Sequence, residues 1–144
     1  MIKQKTIFFT LLALMLTNST AIQSQELKEI NNIDGNWHLR VLDGKEVRRA
    51  RAILDFKSNN MYLEGFNGCN RIWGKLLKNS KEQFYTKFQS SKMDCRQNIH
   101  RYVSKNLNTT LKEGFTITKT KRYGVNGITL KSEHHNLFFK RMGE

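Results

Sequence analysis

Short runs of alternating apolar and polar residues are the feature that most constrains how this chain can fold. In the first run Trp37, Leu39 and Val41 alternate with their neighbours, and a period of two places alternate side chains on one face of a β-strand. Similar runs recur about every ten residues, which is typical of antiparallel β architectures. The strands predicted in this way are residues 37–42, 52–56, 61–66, 72–77, 84–88, 115–118, 128–132 and 137–141.

One segment has the period of a helix instead. Residues spaced at i, i+3, i+4, i+7 and i+8 form one face of an α-helix, and here they are Ile99, Tyr102, Val103, Asn106 and Leu107. Asp94 is the predicted N-cap, and Gly114 is the predicted end of the helix. The predicted fold is therefore α+β and mostly β, an antiparallel sheet or partly closed barrel of about eight short strands with one main helix.

Composition limits the chain to a single ordinary domain. It has 144 residues, of which 38% are apolar, and it contains no Pro and two Cys. These values exclude collagen-like segments, disulfide-dense scaffolds and zinc modules with four Cys ligands. The formal net charge is +13, from 25 Lys and Arg against 12 Asp and Glu. A basic excess of that size indicates attraction to anionic partners.

The first 24 residues have the organisation of a secretory signal peptide. Lys3 and Lys5 form a positive n-region, and residues 6–16 form a mostly apolar h-region that is too short to span a bilayer. The small residues that follow suit cleavage between Ala21 and Ser24. An uncleaved anchor or a buried N-terminal helix is the alternative, but the order of the three regions favours cleavage.

The signal peptide predicts export. No Cys lies at the cleavage point to carry a lipid, so we expect a periplasmic or secreted protein with no lipid anchor and no transmembrane span after cleavage. Residues 25–33 are predicted to be a flexible lead-in, and residues 34–144 are predicted to be the folded domain. The mature chain keeps 23 Lys and Arg against 12 Asp and Glu, so a net charge of +11 belongs to it.

The most unusual stretch is a loop rich in Gly and Asn, Gly65-Phe66-Asn67-Gly68-Cys69-Asn70-Arg71-Ile72-Trp73-Gly74, followed later by Met93-Asp94-Cys95. Several Gly and Asn residues so close together indicate a tight, bulged connection between two strands. Here the chain resembles the META domain family of HslJ-like heat-shock proteins, whose signature is a G-x-x-G-C-N-R-x-x-G loop and a later M-x-C before a helix. The matching residues are Gly65, Gly68, Cys69, Asn70, Arg71, Gly74, Met93 and Cys95.

The resemblance covers about residues 34 to 142. It implies a small exported or envelope-associated protein linked to stress, secretion or virulence, and it implies no common catalytic activity. Two positions depart from the family pattern. Asp94 stands where the family usually has a small residue, and residues 96–107 contain no acid although family members commonly carry acids early in this helix. An acidic partner-binding face is therefore not carried over to this chain.

Cys69 and Cys95 allow two interpretations, a reactive thiol pair or a structural disulfide. Predicted export favours the disulfide, which would close a loop of about 27 residues. A catalytic Cys would need a nearby His. The spacing places none of the four His residues there; they are His38, His100, His134 and His135.

The sequence predicts neither an enzyme nor a cofactor site. His134 and His135 are adjacent, and neighbours on a strand point to opposite faces, so an exposed turn is favoured over a metal site. None of the recognised metal, nucleophile or phosphate-loop motifs is present, and the 12 carboxylates are scattered. We expect no catalytic residue, no metal and no cofactor.

Basic residues fall in three clusters along the chain. As separate solvated faces they would keep the protein soluble, and if they converge they form an anion-binding surface. Aromatic residues are not interleaved as in RNA-binding motifs, and export removes most nucleic acid from reach. Anionic lipid, lipopolysaccharide or an acidic envelope protein is therefore the expected partner. The candidate residues are Arg48, Arg49, Arg51, Arg96, Arg101, Lys105, Lys119, Lys121 and Arg122.

These observations together predict an exported, monomeric, non-enzymatic protein of the META type. We expect it to act as a stress or envelope-maintenance factor through a basic binding surface. The alternative is an interaction module that docks onto an envelope secretion or surface assembly.

Overall fold

Ten β-strands and one α-helix make up the part of the chain that the computed structural model describes, residues 33–143. The predicted signal peptide and residues 25–32 of the predicted lead-in lie outside these residues. The strands are β1 (Gly35–Leu42), β2 (Lys45–Glu46), β3 (Ile53–Lys57), β4 (Tyr62–Phe66), β5 (Arg71–Lys78), β6 (Phe84–Thr86), β7 (Gln89–Ser90), β8 (Phe115–Arg122), β9 (Val125–Ser132) and β10 (Asn136–Arg141). Helix α1 spans Asn98–Glu113, and two short 3-10 helices span Arg48–Ala50 and Ser58–Asn60.

The strands pair in a closed ring. Their order is β10-β9-β8-β6-β5-β4-β3-β1, every pairing is antiparallel, and β1 returns to pair with β10. β6 and β8 meet only through Phe84 and Phe115. The short strands β2 and β7 pair with β1 and β5 beside the ring. The prediction of a mostly β, antiparallel fold with one helix is confirmed.

The core combines one face of the sheet with one face of α1. Leu39 of β1 and Leu54 of β3 are fully buried, as are Val103, Leu107 and Leu111 of the helix. Each fully buried side chain of this kind contributes about 1.5 to 3 kcal/mol to folding through the apolar surface it removes from water. The helical period found in the sequence therefore identifies the face of α1 that packs on the strands.

One strand departs from simple alternation. The pairing of β1 with β10 shifts register between Leu39 and Val41, and a β-bulge of this kind reverses the faces of the residues that follow it. Leu42 is fully buried as a result, while Val41 is only partly buried. The prediction that Val41 belongs to the same buried face as Trp37 is wrong for this reason.

The start of the helix also differs from the prediction. Asp94 is not the N-cap, because α1 begins at Asn98 and Gln97 is the N-cap residue, without a side-chain capping bond. Hydrogen bonds tie the segment before it to the loop between β4 and β5, since Met93 N–H donates to Asn70 Oδ1. The end of the helix is as predicted, at Gly114.

The hairpin of β8 and β9 is longer than the sequence suggested. The predicted strands were residues 115–118 and 128–132, but β8 continues to Arg122 and β9 begins at Val125. Tyr123 and Gly124 both have positive φ values, 53° and 74°. A two-residue turn with this backbone matches the twist of the flanking strands, so both strands extend up to it.

Candidate functional site

Asn67 organises the loop between β4 and β5. Its side chain is almost fully buried, and its Oδ1 accepts hydrogen bonds from the backbone N–H groups of Cys69 at 2.9 Å and Asn70 at 2.8 Å. Its Nδ2 donates to Oδ1 of Asn108 in α1 at 3.0 Å. Asn67 is not among the site residues predicted from the sequence, although an Asn that bonds the backbone two residues ahead is a known turn former.

Two glycines of the loop allow close approach. Gly68 has a φ of +104°, and a Cβ there would lie 3.3 Å from the carbonyl oxygen of His100. A Cβ on Gly65 would lie 2.1 Å from the carbonyl oxygen of Ile53 on β3, which is impossible without moving the strand. These positions need glycine because of the backbone conformation at one and the neighbouring strand at the other.

A disulfide joins Cys69 in the loop to Cys95 before α1, with the two Cα atoms 4.9 Å apart. The predicted pairing is therefore confirmed. Asn70 and Arg71 reinforce it: Ser91 N–H donates to the carbonyl oxygen of Arg71 at 3.0 Å, and the Asn70 side chain accepts from Ser91 Oγ at 3.2 Å. The segment that leads into α1 is thus fixed on the loop.

The loop between β4 and β5, Cys95 and the start of α1 meet at one place, which we call the joint. His100 is a second residue of the joint that the sequence did not reveal. Its Nδ1 lies 2.7 Å from the carbonyl oxygen of Gly68, and Cys69 Sγ lies 3.4 Å from the carbonyl oxygen of His100. The spacing along the chain placed no His near the cysteines, but the first turn of α1 brings His100 against the loop. Both sulfurs are in the disulfide, so this His has no free thiol to activate.

The remaining residues of the family motif are structural or exposed. Gly74 lies in β5 opposite Leu63, Arg71 is exposed at the start of β5, and Met93 is 63% exposed. The motif as a whole joins two strands to the beginning of α1.

Basic residues from two of the three predicted clusters meet beside this joint. Arg49 and Arg51, at and just after the first 3-10 helix, and Arg96, next to Cys95, line a surface cavity of about 460 Å³ together with Gln97 and His100. None of the lining residues within 33–143 is acidic. We call this feature the arginine cavity.

The packing of the 3-10 helix on the loop assembles the arginine cavity. Ala50 is fully buried, and a Cβ on Gly68 would lie 3.7 Å from its Cβ and 3.6 Å from Cγ1 of Val103. The small residues at positions 50 and 68 therefore let the 3-10 helix approach α1. The disulfide holds Arg96 at the same cavity, because Cys95 is its neighbour in the chain.

The three arginine side chains of the cavity are free within residues 33–143. The hydrogen bonds and ion pairs of that part of the chain include none made by the guanidinium groups of Arg49, Arg51 or Arg96, and all three residues are exposed. Guanidinium groups present planar pairs of donors that match carboxylate and phosphate oxygens. The cavity therefore offers unpaired anion-binding groups.

The other candidate basic residues lie elsewhere. Arg48 pairs with Glu46, Arg101 donates to the carbonyl oxygen of Cys95, and Arg122 donates to Asn136. Lys105 is exposed on α1, and Lys119 and Lys121 are exposed on β8. The nine predicted residues thus do not line one cavity.

Arg48 belongs to a second cavity of about 570 Å³, which we call the tyrosine cavity. Tyr123, 71% exposed at the turn between β8 and β9, stands over Phe138 with the ring centroids 6.2 Å apart. The wall of the tyrosine cavity is basic and apolar, with one acid among the described residues. The lining residues are Arg40, Val41, Gly44, Glu46, Arg48, Tyr123, Val125, Phe138 and Lys140.

His134 and His135 lie in the turn between β9 and β10 and bind different carboxylates. His134 Nδ1 lies 2.7 Å from Glu113, and His135 Nδ1 lies 2.7 Å from Asp43. The hydrogen bond that His134 donates to the Glu113 carboxylate raises the pKa of His134. Within residues 33–143 no three His, Cys, Asp or Glu side chains are grouped so that they could hold a metal ion.

His38 on β1 lies in a basic environment. Burial, followed by the charge of Arg40, lowers its pKa. Its Nε2 and the Nε of Arg40 are buried without a hydrogen-bond partner among the described residues.

Within residues 33–143 no helix has the length and apolar character needed to cross a membrane.

Comparison with known proteins gives a family and a fold. A family model described as the META domain matches residues 25–143. The chain is similar to an NMR structure of a protein from Burkholderia xenovorans, with a TM-score of 0.60 and 19% identity, over 82% of this chain and 89% of that one. Another NMR structure has a TM-score of 0.62 and 22% identity, over 78% of this chain and 93% of that one. No curated protein matches the chain.

Proposed function

The chain belongs to the META domain family, and from that premise we propose that it is an exported, non-enzymatic stress or envelope-maintenance protein that acts through a basic binding surface. The observation that carries the proposal is the arginine cavity, where Arg49, Arg51 and Arg96 line one cavity without an acid. The partner is an anionic molecule of the cell envelope. Anionic lipid is the first candidate, and lipopolysaccharide and an acidic protein are the others.

Binding, not chemistry, is the proposed mode of action. The two sulfurs form a disulfide, and His134 and His135 bind separate carboxylates. The arginine side chains, in contrast, have their donors available. Surface potential concentrates anions at such a patch, and the attraction falls as salt screens it.

Co-sedimentation with vesicles tests the proposal. Wild type should bind anionic vesicles at low salt, lose binding as salt rises, and bind neutral vesicles and DNA weakly. The variant R49Q/R51Q/R96Q should lose most of the binding. The matched control is K105Q/K119Q/K121Q, which removes three positive charges from exposed residues outside the cavity. Equal binding to neutral vesicles, or equal loss in both variants, would contradict the assignment.

Export is the second part of the proposal, and the n-region, the h-region and the small residues before Ser24 support it. Expression of the full chain in a bacterium, followed by fractionation and intact mass measurement, tests it. We expect cleavage between Ala21 and Ser24, with the mature chain in the exported fraction. A full-length chain in the cytoplasmic fraction would contradict it.

A docking module for an envelope secretion or surface assembly is the second candidate function. Tyr123 favours it, because a 71% exposed aromatic residue at a hairpin tip, beside the arginines of the tyrosine cavity, has the composition of an interface anchor. Affinity capture from an envelope extract should then recover a stoichiometric partner that Tyr123→Ala loses and R49Q/R51Q/R96Q keeps. Recovery of no such partner would count against this candidate.

A further inference from the structure

The arginine cavity has the features of a site for one particular kind of anion. We propose that it binds a phosphomonoester, the phosphate group that carries up to two negative charges and three free oxygens and that occurs in free phosphates and in phosphatidic-acid headgroups. This inference rests on the proposed function, because it names the ligand class of the same basic surface.

The donors of the site come from two parts of the chain. Arg49 and Arg51 come from the first 3-10 helix and the residue after it, and Arg96 comes from the segment before α1. Each guanidinium has five N–H donors in a planar fork, and such forks bind phosphate oxygens in pairs. Because these three groups have no partner within residues 33–143, a ligand gains their hydrogen bonds without breaking any bond of the protein there.

Charge at the site favours a dianion. The cavity is lined by three positive side chains and no carboxylate, so a singly charged group leaves much of the positive charge uncompensated. The tyrosine cavity differs, because Glu46 lines it and pairs with Arg48. The arginine cavity thus has unpaired positive side chains, whereas the positive charge of the tyrosine cavity is partly neutralised within the protein.

The start of α1 adds further donors at the same place, and His100 lines the cavity beside it. A carbonyl oxygen only accepts, so the proton shared with Gly68 is on Nδ1 of His100, and His100 directs its donor at the loop and not at the cavity. Gln97 makes no side-chain cap, and the first turn of α1 contains no acid. Backbone N–H groups at a helix start favour anions, and here they supplement the arginine side chains, on which the site depends.

The cavity is open at the surface, which suits a phosphate that projects from a larger molecule. Arg49, Arg51 and Arg96 are exposed, so a headgroup can enter while the rest of a lipid stays outside. Free phosphate and a lipid headgroup offer the same chemistry to these side chains. The experiment therefore includes both sources.

The test compares vesicles that contain phosphatidic acid with vesicles that contain phosphatidylglycerol, a phosphodiester, prepared to equal zeta potential. Wild type should bind the phosphatidic-acid vesicles about tenfold more tightly, as expected for additional charge-assisted hydrogen bonds. The variant R49K/R51K/R96K keeps the charge and removes the forks, and it should lose that preference. The control R71K/R101K/R122K makes the same exchange at arginines outside the cavity and should keep it.

Competition identifies the source of the phosphate. If inorganic phosphate or glycerol 3-phosphate displaces the protein from phosphatidic acid, the site accepts free phosphomonoesters. If only the lipid binds, and the R49K/R51K/R96K variant loses lipid binding, the site takes the headgroup. Both results support the inference. Equal binding to the two vesicle types, unchanged in R49K/R51K/R96K, would overturn it and leave the basic-surface function standing. Failure to bind any anionic vesicle or free phosphate would overturn both.

Discussion

The Nδ1 atom of His100 lies 2.7 Å from the carbonyl oxygen of Gly68. This hydrogen bond connects the first turn of α1 to the loop between β4 and β5, and His100 also lines the arginine cavity. One residue therefore takes part in both the stability of the joint and the proposed anion site.

Replacing His100 should weaken the joint. We expect His100→Ala to lower the free energy of unfolding by about 1 kcal/mol, because it removes one hydrogen bond and leaves the Gly68 carbonyl without its partner. Urea denaturation followed by circular dichroism measures the change. Lys105→Ala, an exposed change on the same helix, should alter stability by less than about 0.5 kcal/mol. Equal stability of the two variants would show that the bond contributes nothing.

The disulfide should be a large part of the stability of this small domain. Cys69 and Cys95 are 26 positions apart, and closing a loop of that length stabilises by about 3 to 4 kcal/mol in the chain-entropy model. The C69S/C95S variant should lose about that amount in denaturant titration. Intact mass of the wild type should be lower than that of its reduced form by two hydrogen atoms. Two freely alkylated thiols in the native protein would contradict the assignment.

Asn67 should be the most sensitive polar residue of the loop. Asn67→Ala leaves the buried N–H of Cys69 and the N–H of Asn70 without their side-chain acceptor, and we expect a loss of about 2 to 3 kcal/mol. Asn108→Ala should cost less, because it removes only the bond to the helix. A double-mutant cycle between the two Asn residues measures their coupling. A coupling energy of zero in this cycle would refute the bond between them.

The contact between His134 and Glu113 should make stability depend on pH. Glu113 raises the pKa of His134 above its ordinary value of 6.5. Burial would raise the pKa of Glu113, but hydrogen bonds from Ser132 and His134 outweigh burial and leave it below the ordinary 4.5. The His contribution is complete below pH 6.5 and is lost as pH rises through the folded pKa. The Glu contribution is present above pH 4.5 and is lost as pH falls through its folded pKa.

The pair therefore stabilises most between about pH 4.5 and 6.5. The stability difference between wild type and His134→Gln should be larger at about pH 5.5 than at about pH 9, and it should be small because His134 is exposed. Denaturant titration at the two pH values measures it. The same stability difference at both pH values would show that the ion pair has no part in stability.

The sequence predicted the strands and the helix well because period two and period 3.6 are local signals. It could not predict that β1 pairs with β10, since that pairing joins the two ends of the domain. The register shift between Leu39 and Val41 was also invisible, because a bulge depends on the partner strand. Asp94 is not the N-cap because Asn70 and the disulfide hold the segment before α1 on the loop.

The candidate site was predictable only in part. Cluster membership pointed to Arg49, Arg51 and Arg96, but their meeting depends on Ala50 packing close to Gly68. His100 was missed because its distance along the chain from Gly68 carries no signal. Arg48 was placed with its sequence neighbours, although its pairing with Glu46 takes it to the other cavity.

The most direct test of the account follows the arginine side chains themselves. Short-chain phosphatidic acid is titrated into protein labelled with nitrogen-15, and the Nε–Hε resonances of the arginines are recorded. We predict saturable shifts at Arg49, Arg51 and Arg96, while Arg101 and Arg122, which already donate within the protein, stay close to their starting positions. Shifts spread evenly over all arginines, or no saturable shift at the three cavity arginines, would contradict the claim that this cavity is the anion-binding site.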